Sequence, residues 1–140
     1  MLLRMYAITA IVLALKMAAI SVVQGNARVK SGVFTNPEDA ATFGGKEAPA
    51  DAPMVERASR AWRNDLENIP MFLIVAWIYV AADLSAVAFI VYCLVFMAAR
   101  VGHTIFYLNA VQPARTIAYT VGALAALALI IHVFIAVVIA

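Results

Sequence analysis

Long apolar runs alternate with short polar breaks along this 140-residue chain. Four runs stand out, over about 2–23, 69–82, 86–108 and 116–139. A helix needs roughly 20 apolar residues to cross hydrocarbon. The second run is too short unless its helix begins inside the charged stretch VERASRAWRNDLENIP, residues 55–70. The pattern therefore predicts four helices, over about 2–28, 54–82, 85–109 and 113–139. Pro113 suits a first helical turn, where its missing N–H costs nothing. The links AADLSA and NAVQPA are too short for anything but antiparallel neighbours. One substantial polar segment, about 29–53, carries Pro37, Pro49, Pro53 and the Gly44-Gly45 pair and reads as a loop. The expected fold is all-α: an integral membrane, up-down four-helix bundle filling 1–140 as a single domain.

Composition sharpens this picture. Apolar residues make up 66% of the chain and charged residues only 13%, more apolar surface than a soluble domain of this length can hide. The net charge of +2 is small and its cations are scattered, which argues against nucleic acid as a partner. A single cysteine, Cys93, excludes an internal disulfide and a cysteine-rich metal site, and no metal-binding motif is apparent. Arg28, Lys30, Lys46, Arg57, Arg60, Arg63 and Arg115 all fall at the end of the bundle that carries the large loop. The cation bias predicts that this loop faces the cytosol and that both termini face the other side. Arg4 ahead of an apolar run also fits a cleaved leader. Lys16 inside that run, with Arg28 and Lys30 after it, favours a retained span.

The charges near the membrane carry the chemistry. Arg57, Arg60, Asn64 and Glu67 share one face of the second helix, and Arg100, His103 and Tyr107 form a stripe on the third. Arg28 closes the first helix; Arg115, Thr116, Tyr119 and Thr120 open the last. A charge at membrane depth costs about 2.5–3.5 kcal/mol on insertion scales, so such residues turn toward the bundle interior or water. Stripes meeting at one end make a cavity richer in cations than anions, suited to a carboxylate ligand gripped by arginine. Simpler roles are open for each residue taken singly. Arg57, Arg60 and Glu56 also fit snorkelling to headgroups, Arg100 and Glu67 an interhelical ion pair, His103 a satisfied core histidine, and Tyr107 and Tyr119 an interfacial belt.

At these residues the chain resembles the MAPEG family, the membrane-associated proteins in eicosanoid and glutathione metabolism. The resemblance rests on LKM (15–17), NPEDAATFGG (36–45), VERASRAWRNDLENIP (55–70), RVGHTIFYL (100–108) and QPARTIAYT (112–120), in the family's order and spacing. It implies a homotrimer with glutathione bound between neighbouring subunits near the cytosolic face. It further implies that Arg28, Arg63, Asn64, Glu67, His103, Tyr107, Arg115 and Tyr119 hold glutathione. Arg115 accompanies the thiol, Thr116 stands where one branch of the family has serine, and Asp39 matches an aspartate proposed as a catalytic partner. NDLENI and the Phe43-Gly44 pair lean toward the family's transferases, whereas Arg63 leans toward its prostaglandin synthases.

The chain offers no nucleophile of its own, since Cys93 sits mid-span among apolar neighbours, where a thiol is inert. The ligand must bring the sulfur as thiolate. Lowering a free thiol's pKa of roughly 8.5 by two units requires about 2.7 kcal/mol. One guanidinium at ~4 Å contributes on the order of 4 kcal/mol at an effective dielectric of 20, before desolvation. Arg115, aided by Thr116, therefore suffices. The expected activity is glutathione conjugation to a lipophilic electrophile, or reduction of a lipid hydroperoxide, with the second substrate arriving from membrane lipid. A prostaglandin-synthase-like isomerase and a non-catalytic lipid- or glutathione-binding scaffold are the alternatives.

Overall fold

The structure is a computed structural model, and it describes residues 1–139. Four long helices form the body: α1 (Leu2–Ser31), α3 (Pro53–Ala81), α4 (Ala86–Leu108) and α5 (Ala114–Val133), the last widening into a π-helical turn over Phe134–Ile139. Three of them, α1, α4 and α5 with its π-helical extension, are long and apolar enough to cross a membrane by themselves. The charged first half of α3 sets that helix apart, as its short apolar run predicts. The molecule is an all-α integral membrane bundle.

The bundle closes through a slab of aliphatic and aromatic side chains. Leu13 of α1, Ile69, Phe72 and Ala76 of α3, Phe89 and Phe96 of α4, and Leu129 of α5 are buried together. Phe72 and Phe96 stack face to face, with centroids 3.9 Å apart. At the end remote from the loop, the Tyr79 hydroxyl donates to the Ser85 carbonyl (3.0 Å), pinning the α3–α4 turn, and Tyr92 pairs with His132 Nδ1 (3.2 Å). The outer faces remain apolar, with Leu3, Ile11, Leu15, Trp77, Val87 and Ile117 exposed, as a lipid-facing surface requires.

The segment read as a plain loop has structure of its own. The chain reverses at Gly32, which takes a left-handed conformation after α1. It then forms β1 (Val33–Phe34), α2 (Pro37–Phe43) and β2 (Lys46–Glu47), the strands pairing in parallel. Pro37 at the first turn, Glu38 and Asp39 beside it, and left-handed Gly44 after it give α2 the start and stop of a helix. Proline and glycine therefore punctuate a small folded unit rather than an unstructured link. Its pivot is Gly45, where a Cβ would come within 2.3 Å of the buried Phe34 ring and 2.5 Å of the Gly32 carbonyl oxygen. Only glycine fits there.

Candidate functional site

The polar stripes converge at the loop end of the bundle in two adjoining clusters. The first lies deepest. Asp65 on α3 is completely buried, and its two oxygens are divided between two cations from different helices. Lys16 Nζ of α1 donates to Oδ2, and Arg100 Nη2 of α4 donates to Oδ1 at 2.6 Å. Arg100, only 1% exposed, donates from the same nitrogen to Asn64 Oδ1 at 2.6 Å. A lone carboxylate or guanidinium in this apolar setting would carry a penalty of several kcal/mol, which pairing offsets. The ion pair open to Arg100 and Glu67 as a simpler role is not formed; Arg100 pairs with Asp65. Asp65 takes that place because it points toward α1 and α4, whereas Glu67 sits on an exposed face of α3.

The second cluster lies between α4 and α5. The Arg115 guanidinium stands over the Tyr107 ring, 4.8 Å from its centroid, a cation–π arrangement. His103 lies one turn back on α4, its ring 5.5 Å from Tyr107 and 6.0 Å from Tyr119. Gln112, just before α5, reaches both neighbours of interest. With its amide oxygen toward the guanidinium it accepts from Arg115 Nε (3.0 Å), and its amide nitrogen then meets Thr116 Oγ1 (3.0 Å). Arg57 Nη1 of α3 donates to the Tyr107 carbonyl (3.2 Å), tying α3 to the end of α4. A cleft of about 250 Å³ opens here, lined by Pro53, Glu56, Arg57, Arg60, Tyr107 and Arg115. Within it Arg60 and Glu56 pair at 2.9 Å.

The structure thus brings together His103, Tyr107, Arg115, Thr116 and Tyr119, and joins Asn64 to the deeper cluster. It engages other expected residues elsewhere within the subunit. Arg28 donates to Asp51 at 3.2 Å. Asp39, on α2, accepts from Asn36 at 3.1 Å. Arg63 and Glu67 are exposed, and neither makes a side-chain hydrogen bond among the described residues. Three buried polar atoms within one turn of α4, Arg100 Nε, His103 Nδ1 and Thr104 Oγ1, also have no protein partner. Unsatisfied groups of this kind are costly, and they fit a site meant to receive polar groups from a ligand or water.

Sequence reading missed Asp65, Lys16 and Gln112 as parts of this arrangement. Lys16 carries a detectable signal, a single cation in the middle of an apolar span. Asp65 lies inside the same charged stretch as Asn64 but off its face, so spacing along α3 alone does not select it.

Known proteins place this geometry in context. The family model described as MAPEG matches residues 6–135. The chain is 36% identical to prostaglandin E synthase from Homo sapiens over 113 residues, covering 80% of this chain and 74% of that protein. It is 39% identical to the Equus caballus prostaglandin E synthase over the same shares. It is also 38% identical to microsomal glutathione S-transferase 1 from Rattus norvegicus, covering 76% of this chain and 72% of the relative.

Proposed function

Because this chain belongs to the MAPEG family, we propose that it is a glutathione-dependent membrane enzyme. In this reading it ionises the glutathione thiol and delivers it to a lipophilic electrophile or a lipid hydroperoxide. The observation that carries the reading is Arg115: a guanidinium stacked on Tyr107 at the mouth of a cationic cleft, with the Thr116 hydroxyl on the next residue. The one thiol of the chain, Cys93, is buried within α4 and is no nucleophile. Bound glutathione supplies the sulfur.

The residues divide the work. Arg115 stabilises negative charge on the sulfur and Thr116 donates a hydrogen bond to it, while Gln112 orients both. Arg63 and Arg28 grip carboxylates, for which guanidinium geometry is suited. Glu67 accepts from the tripeptide's amino group, and Asn64, His103, Tyr107 and Tyr119 fix its backbone. Asp39 serves as a proton partner. Ligand pockets commonly reach roughly 300–1,000 Å³. The cleft of a single subunit, at about 250 Å³, falls just short. This shortfall, with the free Arg63 and Glu67, supports a homotrimer in which a neighbour supplies the opposite wall. The site would face the cytosol, and the second substrate would enter from membrane lipid.

Isomerisation of a lipid endoperoxide is the second reading, favoured by the similarity to prostaglandin E synthases. A difference spectrum of the purified protein with glutathione tests the common premise. We expect saturable thiolate absorbance in the ultraviolet, and its absence would remove the proposal. Turnover of an aryl halide, a lipid hydroperoxide and an endoperoxide then separates transferase, peroxidase and isomerase.

A further inference from the structure

The deeper cluster has a role beyond holding three helices together. Arg100 has donors only, so the Asn64 atom facing it must be the side-chain oxygen. That oxygen is therefore consumed within the protein at 2.6 Å. Asn64 Nδ2 is left without a partner among the described residues, on a side chain that is half-buried rather than sealed. An amide in this state presents two N–H groups and no acceptor. Whatever Asn64 binds must offer an oxygen.

Arg100 can hold the amide this way only because it is itself held. Asp65 fixes the same Nη2 atom from the adjacent residue, and Lys16 occupies the second oxygen of Asp65. The aliphatic part of Arg100 lies against Gly122 of α5, where a Cβ would stand 3.6 Å from Cδ. The cluster is thus built from α1, α3 and α4 and backed by α5. From this we infer that Lys16, Asp65 and Arg100 are positioning residues that lock the Asn64 amide with its nitrogen toward the ligand. Asn64 consequently reads a carboxylate or carbonyl oxygen of glutathione. This inference rests on the glutathione reading of the site.

Two variants test it in detergent-purified full-length protein, alongside the wild type and with glutathione as the probe. Asn64→Asp keeps an oxygen facing Arg100 but replaces the ligand-facing donor by an acceptor and adds a negative charge, so it tests the contact made by position 64 while the paired variant tests its positioning. It should fold with an undiminished melting temperature and bind glutathione at least tenfold more weakly. Lys16→Met with Asp65→Leu removes one cation and one anion, so the cluster keeps its net charge while Arg100 loses its anchor. That pair should raise the KM for glutathione at least fivefold and leave kcat within twofold. A purely structural cluster would instead lower the melting temperature and leave KM alone. Wild-type affinity in Asn64→Asp, or a wild-type KM in the folded pair, overturns the positioning role while glutathione binding by the parent stands. If the paired variant does not fold, Lys16→Met alone, which frees the second oxygen of Asp65, decides: a wild-type KM for glutathione then overturns the positioning role. Absence of glutathione binding by the wild type overturns both this inference and the function beneath it.

Discussion

At the scale of single residues, Arg115 is where binding and chemistry separate. Its charge acts on the sulfur, whereas the tripeptide is held at many other points. Arg115→Leu is therefore expected to lower kcat about 100-fold, in the range seen when one stabilising group is lost from a charged transition state. Glutathione affinity should change by less than threefold. Equilibrium dialysis paired with an aryl-halide assay reads both. The residues of this cluster are legible in the sequence because each sits on a polar stripe in an otherwise apolar helix, at matching depth. The true partner of Arg100 is not. Helical spacing orders residues around one axis, but which face of α3 meets α4 is decided by packing such as that of Phe72 on Phe96. That rotation brings Asp65 inward and leaves Glu67 outside.

At the scale of elements, the long helices follow from one physical length, the thickness of hydrocarbon, and so are read directly from apolar runs. The unit between α1 and α3 follows from local turn chemistry and a single buried ring, which no run of apolar residues announces. Phe34 is sealed there, stacked on Phe43 at 5.7 Å. Backbone bonds from Lys46 to Gly32 (2.7 Å) and from Ala48 to Phe34 (2.8 Å) close the unit. Gly45→Ala forces a methyl group into this contact. It should destabilise the unit by about 1–3 kcal/mol, the usual scale of overpacking. Limited proteolysis would register this as accelerated cleavage between Gly32 and Ala48, with the membrane-embedded helices remaining intact.

At the scale of the whole molecule, two expectations concern surroundings rather than internal contacts. A homotrimer predicts a protein mass in detergent of three times the 15.0 kDa subunit. Light scattering on a size-exclusion column measures it, and a monomer at that step would remove the shared site. Sidedness has an equally direct readout, because the native Cys93 is buried. A cysteine introduced at the exposed Ala41 should react with a membrane-impermeant maleimide only when the cytosolic face is accessible.

The ion cluster also bears on how the chain is made. Lys16 and Asp65 stand 49 positions apart, so a ribosome releases the lysine well before its counter-ion exists. During that interval α1 must tolerate a naked ammonium at mid-span, at roughly 2.5–3.5 kcal/mol on insertion scales. The flanking leucines, isoleucines and valines carry that burden provisionally. Only α3 brings the carboxylate that pairs with the lysine. The pairing of Lys16 with Asp65 thus joins two helices that are synthesised at different times, and the lysine's burial is matched by a counter-ion only once both are in place.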